Sequence, residues 1–411
     1  MIIFKKIFFL LPIVLIQQTY TQQADNLSLA NDLLNTGNLY ALNHNFDAAA
    51  TTYKKIIALF PHSAAVLYNL GYALNELTEY QAAANAFEQA CTLQPTPGNY
   101  LAFATALLAL GDYEKGWKIF EHRWDLPDKK NISLSCPRWD GKSPLNKKKI
   151  LLLNEGALGD CLQFIRYTEL IKKQGAYVIV LVPAVLAKLC TLCPFIDEII
   201  SSGNPIPSAD YYTSLMSLPA LLGTTRTTIP TTIPYLEIDQ LLFDHWKNIL
   251  ASDTLLKIGI CWQADLTNDA NRPPNARRSI PTYAFYPLSC LPQISLYSLQ
   301  FNEDTPPYMH DFGPSLDTAH GRFMDSTAII CNLDLVITVD TAIAHLSGAL
   351  GVPTWLILPY KADWRWMKDT DISPWYPTMR IFRASHNESW ESLLSTIADT
   401  LSLSLTSHQG S

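Results

Sequence analysis

Residues 335–351 read LVITVDTAIAHLSGALG. Leu335 to Val339 form an apolar, β-branched run of the length of a buried strand, and the helical pattern from Thr341 to Leu350 follows at once. A strand that runs directly into a helix is the building unit of a parallel α/β sheet. The helix start at Thr341 would present unpaired N–H groups and a positive dipole end, which suits a diphosphate. Thr341 adds a hydroxyl donor, and His345 lies four residues on, one turn along the same face. Taken alone, the pattern is more often a capping aspartate followed by an ordinary histidine. The remainder of the chain decides between the two.

Working outward, strand-like runs recur at Lys149–Leu153, Tyr177–Val182, Leu256–Trp262, Ile294–Leu299 and Pro353–Leu358. Helical patterns alternate with them at Asp160–Lys173, Ala184–Cys193 and Phe323–Asn332, and the chain closes on an amphipathic helix from Trp390 to Leu403. Such alternation predicts βαβ units. The Thr- and Pro-dense stretch 224–234 interrupts it, which divides the α/β part into two Rossmann-like lobes, 149–236 and 237–405, with a polar linker over 127–148.

Residues 25–126 follow another rule. Pro61 and Pro95 stand 34 residues apart, each closing an apolar-periodic segment, the period of the tetratricopeptide (TPR) helical hairpin. Leu67, Leu70, Gly71, Leu74, Ala83, Phe87 and Ala90 occupy its large and small positions, and Leu33, Gly37, Tyr40, Ala49, Tyr53 and Ile56 repeat them one period earlier. A degenerate third copy, offset by one residue, runs through Leu101, Ala104, Gly116, Trp117 and Phe120. Peptide binding on the array and simple bracing of the next domain are equally open readings.

In residues 1–24, Lys5 and Lys6 precede the apolar run Ile7–Ile16, laid out like a secretory signal but without a clean cleavage pattern. This stretch reads as a signal-like or anchor segment. The 411 residues carry a net charge of -7, which supplies no basic footprint for nucleic acid. Lys147, Lys148 and Lys149 read as a solvated lead-in to a strand. Eight cysteines are too sparse for a disulfide scaffold, and Cys190 and Cys193 have no second pair at zinc-site spacing.

The second constellation is ILLLNEGALGDCLQFIRY, residues 150–167. A strand enters a turn bearing Gly156 and Gly159, and Asp160 stands at the amino end of a helix, where it would face a cleft and could take a proton from an acceptor hydroxyl. Its plain alternative is again a cap. Trp262 and Gln263 end another strand.

Together these stretches resemble the glycosyltransferase family that includes the bacterial lipopolysaccharide heptosyltransferases, glycosyltransferase family 9, and specifically its TPR-fused relatives. The resemblance is carried from about Trp139 to Phe382 by WDGKSPL, EGALGDCLQFIRY, GICWQ, RRSIP, ITVDTAIAHLSGALGVPTWLILP and DWRWMKDTDISPWYPTMRIFR. It implies an α-helical TPR array followed by a GT-B fold of two Rossmann-like lobes. It also implies a nucleotide-sugar donor as co-substrate, no separate cofactor, Asp160 as catalytic base, and Asp340, Thr341, Ala342 and His345 as the donor-diphosphate segment. Arg278, or less favourably Arg277, matches a basic residue against donor phosphate. The resemblance further implies that Trp262 and Gln263 line a base or ribose pocket, a reading that weighs equally with ordinary packing or solvation. The chain departs from the pattern at Gly156 and Ala157, where TPR-fused relatives usually show Gln then Gly, so the turn there is expected to be altered.

The expected activity is inverting transfer, without a bound metal, of a hexosyl or heptosyl unit to a glycan or protein acceptor. The rival is a protein-binding scaffold whose transferase lobes have degenerated. Trp364, Trp366, Trp375 and Tyr376 suit sugar stacking but are read in favour of packing. Sugar nucleotides place the chain in the cytoplasm, with weak membrane association through residues 1–24 as one variant and export through the same segment still open.

Overall fold

The computed structural model describes residues 21–130 and 134–407, so residues 1–20 of the signal-like stretch lie outside the described residues. Two units are present. One takes the chain to residue 133 together with 223–228 and 361–369, and the other takes the rest.

The first unit is helical. Its hairpins are α1 (Thr21–Leu42) with α2 (Phe46–Leu59), α3 (Ala64–Glu76) with α4 (Tyr80–Leu93), and α5 (Pro97–Leu110) with α6 (Tyr113–Phe120). Side chains of Asn45, Thr96 and Asp112 accept from the third backbone N–H beyond each, and so cap α2, α5 and α6. Pro97 fits the first turn of α5, and Gly111 ends that helix at φ +81°.

The 34-residue period has a direct steric meaning. A Cβ on Gly37 would lie 2.7 Å from the Tyr53 ring, and one on Gly71 would lie 2.7 Å from the Phe87 ring. In both hairpins a glycine on the first helix admits an aromatic ring of the second. The third hairpin inverts this, because Gly116 on its second helix receives Leu108 of its first. Tyr40 departs from expectation: it is 39% exposed, whereas its periodic equivalent Leu74 is 3% exposed.

Residues 361–369, read from sequence as part of the second lobe, group with the helices. Trp364 packs edge-on to Trp117 with centroids 5.2 Å apart, and Met367 fills the space where a Cβ on Gly111 would stand. Residues 223–228, the start of the expected interlobe stretch, group with the same unit.

The second unit contains two fully parallel sheets. The first has the order β3-β2-β1-β4, from β1 (Lys149–Leu153), β2 (Tyr177–Val182), β3 (Glu198–Ser201) and β4 (Tyr211–Ser214). The second runs β6-β5-β7-β8-β9, from β5 (Leu256–Cys261), β6 (Ile294–Ser298), β7 (Leu335–Val339), β8 (Thr354–Leu358) and β9 (Met379–Arg383). Every residue of β6 and β7 is buried, as parallel sheets covered on both faces require. The helical array followed by two Rossmann-like sheets is the architecture the sequence implied.

Within this frame, part of the stretch read as a linker is sheet. Trp139 donates its backbone N–H to Tyr212 O at 2.8 Å and Tyr212 donates to Pro137 O at 3.1 Å, which adds a short bridge beyond β4. The helix expected over 160–173 is three pieces, Leu158–Phe164, a 3-10 turn at Ile165–Tyr167, and Thr168–Lys173. Among the described residues no helix is long and apolar enough to cross a membrane.

Gly71→Val tests the periodic glycine. The side chain must displace the Phe87 ring, at a cost of about 1–3 kcal/mol, read as a lower urea midpoint. Gly98→Ala, where no atom lies within 4 Å of the new Cβ, is expected to leave the midpoint unchanged or raise it slightly.

Candidate functional site

In open parallel sheets, ligands bind beyond the carboxyl ends of the strands where the strand order reverses. The reversal lies between β1 and β4 in the first sheet and between β5 and β7 in the second. The chain leaving β1 carries Gly156, Gly159 and Asp160; the chain leaving β5 carries Trp262 and Gln263; the chain leaving β7 carries Asp340, Thr341, Ala342 and His345.

The β1 exit is a tight turn. Gly156 adopts φ +93°, and a side chain there would collide with the Asp160 carboxylate. Ala157 has φ -88°, an extended conformation that alanine accepts readily, so the departure from the family pattern at this position leaves the turn unstrained. Asp160 is the third residue of the helix Leu158–Phe164, and its Oδ2 accepts the Ala157 N–H at 2.7 Å. The capping contact fixes the carboxylate's orientation. Behind the turn, the Ser214 hydroxyl donates to Glu155 and accepts the Met216 N–H at 3.0 Å, tying the β1 exit to the β4 exit.

The β7 exit leads into the helix Ala342–Leu350, with Thr341 as its N-cap. No side chain caps this terminus, and the Thr341 hydroxyl lies 3.4 Å from Thr338 Oγ1 and 3.7 Å from Cys261 Sγ. Asp340 is not the cap. Its carbonyl accepts from Arg278 Nη1 at 2.8 Å, and its carboxylate lies 3.6 Å from the same nitrogen. This geometry separates the two arginines, since Arg278 is seated at the β7 exit while Arg277 is exposed.

Arg278 is held there by a residue that sequence reasoning missed. The buried Asp269 carboxylate accepts the backbone N–H of Arg278 and of Ser279, each at 2.8 Å, while the Ser279 hydroxyl accepts the Ala264 N–H at 3.1 Å. The Asn- and Pro-rich loop after β5 is thereby folded back upon its own strand. Gln300, just past β6, is a second missed residue. Its Oε1 accepts the N–H groups of Trp262 and Gln263 at 3.2 and 3.0 Å, and its Nε2 donates to Gln263 O at 3.3 Å. A long-range side chain to backbone contact has no local period by which to find it.

The expected pocket residues divide. Gln263 is half-buried and donates through Nε2 to Glu303 at 2.6 Å. Trp262 is 3% exposed within the apolar core of the second sheet, so its indole packs instead of lining an open surface. Trp366, Trp375 and Tyr376 are fully buried, in agreement with the packing reading of the tryptophan-rich segment. Cys190 and Cys193 are buried free thiols, and burial pushes the Cys193 thiol up to about 11.

The β1 and β7 exits meet. A Cβ on Gly159 would lie 2.7 Å from His345 Cδ2 and 3.2 Å from its Nε2, so the imidazole edge rests on the glycine that precedes Asp160. His345 is 4% exposed, and its Nδ1 lies 2.8 Å from the Tyr376 hydroxyl. Thus Asp160, His345, the Ala342 helix terminus, Asp340 and Arg278 form one neighbourhood.

Residues 34–99 match the tetratricopeptide repeat family model. The chain is similar to Protein FlbA of Caulobacter vibrioides, with 26% identity over 390 residues covering 86% of this chain and 64% of that protein, so it spans less than two thirds of the relative's length. Similar solved structures include a glycosyl transferase family 9 protein from Veillonella parvula, at 13% identity and TM-score 0.44, covering 64% of this chain and 99% of that one. Another is the Escherichia coli ADP-heptose lps heptosyltransferase II, at 14% identity and TM-score 0.43, covering 64% and 99%.

Asp269→Ala removes the acceptor of two backbone donors and is expected to destabilise the second unit by about 1–3 kcal/mol. Asp269→Asn, which retains one carbonyl acceptor, should lose less. Equal urea midpoints for wild type and Asp269→Ala would refute the tethering of Arg278 by this carboxylate.

Proposed function

We propose that this chain is a glycosyltransferase that moves a sugar from a nucleoside-diphosphate donor to a hydroxyl of a glycan or protein acceptor. The observation that carries the reading is the contact of Gly159 with His345, which brings the Asp160 turn and the donor-type helix terminus of the two parallel sheets together.

In this reading the donor diphosphate lies against the amino end of the Ala342–Leu350 helix. The N–H groups of Ala342 and its successors, the Thr341 hydroxyl and the imidazole of His345 donate to its oxygens. Arg278, pinned on Asp340, adds a fixed positive charge. Gln263 stands at the nucleoside end. Asp160 accepts the proton of the acceptor hydroxyl as that oxygen forms its bond to the anomeric carbon. The carbon–oxygen bond to the diphosphate breaks, its electron pair leaving with the nucleotide, and a single base working opposite the leaving group inverts the anomeric centre. Charge developing on the diphosphate meets donors already in place, so little reorganisation is required at the moment of transfer.

The TPR array favours a protein acceptor as the second reading, since stacked helical hairpins present a continuous face suited to extended peptides. Labelling a lysate with radiolabelled donor decides between the two: label confined to glycan removes the protein acceptor.

Thermal-shift titration with ADP, UDP, GDP and CDP is the first test. One of them is expected to stabilise the protein, and His345→Ala should weaken its binding roughly tenfold, the value of about 1.4 kcal/mol. Asp160→Ala is expected to abolish turnover and to leave nucleotide binding within about twofold. Stabilisation by none of the four, or equal turnover of wild type and Asp160→Ala, would remove the reading and leave the scaffold alternative.

A further inference from the structure

We propose that Tyr376 is a positioning residue for His345, holding the imidazole with its Nε2–H on the Gly159 side as a donor for an anionic oxygen. The proposal rests on the placement of His345 in the donor-diphosphate site given above. Tyr376 Oη lies 2.8 Å from His345 Nδ1, and both side chains are buried. The rings meet edge to face with centroids 5.8 Å apart. Gly348, three residues past His345 on the same helix, lacks the side chain that would occupy the space taken by the Tyr376 ring. The phenol therefore reaches Nδ1 because the helix is cut away beneath it.

Tyr376 is itself fixed from behind. Arg166, 1% exposed, sets its guanidinium 4.5 Å from the Tyr376 ring centroid and 4.8 Å from that of Tyr235. Its Nε donates to Gln163 O at 2.8 Å, and its Nη1 donates to Trp375 O at 2.6 Å and Pro230 O at 3.1 Å. The Trp375 contact anchors the residue next to Tyr376 in the chain. Tyr235 Oη accepts from Arg166 Nη2 at 3.1 Å and donates its own proton to Leu162 O at 2.8 Å. Burial pushes the Tyr376 phenol well above its ordinary value, so it stays a hydroxyl. The Tyr376 hydroxyl also shares a hydrogen bond with that of Tyr235. With the Tyr235 proton on Leu162, the Tyr376 proton has two acceptors, Tyr235 Oη and His345 Nδ1, and the proposal assigns it to Nδ1. In a neutral ring, a hydrogen bond received at Nδ1 places the proton on Nε2, the nitrogen that lies toward Gly159.

The test uses the full chain with 15N-labelled histidine, in which His345 is assigned among the nine histidines by its loss in His345→Ala. Two-bond proton–nitrogen spectra distinguish protonated from bare ring nitrogens. Wild type is expected in the Nε2–H form, and Tyr376→Phe, which keeps the ring and removes the hydroxyl, should shift His345 toward a mixture. An unchanged His345 tautomer in Tyr376→Phe overturns the proposal, as does an Nδ1–H form in wild type. In parallel, the nucleotide that binds tightest in the four-member panel should bind Tyr376→Phe about fivefold to tenfold more weakly. The same substitution in a His345→Ala background should add no further loss, because Tyr376 acts through the imidazole. Full additivity of the two losses sinks the proposal. A chain that binds none of the four nucleotides removes the transferase reading, while the imidazole spectra still decide the role of Tyr376.

Discussion

The imidazole of His345 rests on a residue with no side chain, and the arrangement of both sheets around the candidate site depends on that approach. Gly159 stands in the first turn of the helix leaving β1 and His345 in the first turn of the helix leaving β7, and the two helices pack against each other. A larger residue at position 159 would displace the His345 imidazole or the helix that carries it, at the point where the proposed transfer brings Asp160 and the Ala342 terminus to one substrate. Catalytic groups tolerate displacements of only about 1 Å before rates fall steeply. A constraint on van der Waals radius is thus also a constraint on chemistry.

Polar contacts hold the surrounding loops to this contact. Arg166 is a buried cation whose donors find backbone carbonyls and a tyrosine hydroxyl, which offsets much of the desolvation that burial of a charge entails. Gln300 and Asp269 do the equivalent for the β5 exit, each accepting from two backbone N–H groups. All three tie together segments that have irregular backbone and therefore no ladder of their own. Pre-placed donors and acceptors of this kind are what electrostatic stabilisation of a developing charge requires, as in the transfer proposed above.

Much of this architecture is legible in the sequence. The period of 34 is visible because Gly37 with Tyr53 and Gly71 with Phe87 are the same steric solution used twice. The long apolar strands β1, β2, β5 and β7 stand out because both of their faces are covered. The strands β3 and β4 escape notice because they are four residues long and carry Glu198, Ser201, Tyr211 and Thr213, which dilute the apolar signal. Asp340 was legible as a strand-end residue, but its partner in Arg278 is 62 positions away in the chain. Asp269, Gln300 and Arg166 act on distant backbone, so nothing beside them in sequence announces the role.

The packing of residues 361–369 on the helical unit bears on the order in which the protein is made. Phe120 ends the third hairpin, whereas Trp364, which covers Trp117, comes from between β8 and β9. At roughly 5–20 residues per second, a ribosome reaches that segment roughly 10–50 seconds after finishing the hairpins. During that interval the indole of Trp117 and the Gly111 turn lack the cover of Trp364 and Met367. The hairpins are synthesised first, yet this face is completed only when most of the last sheet has been translated.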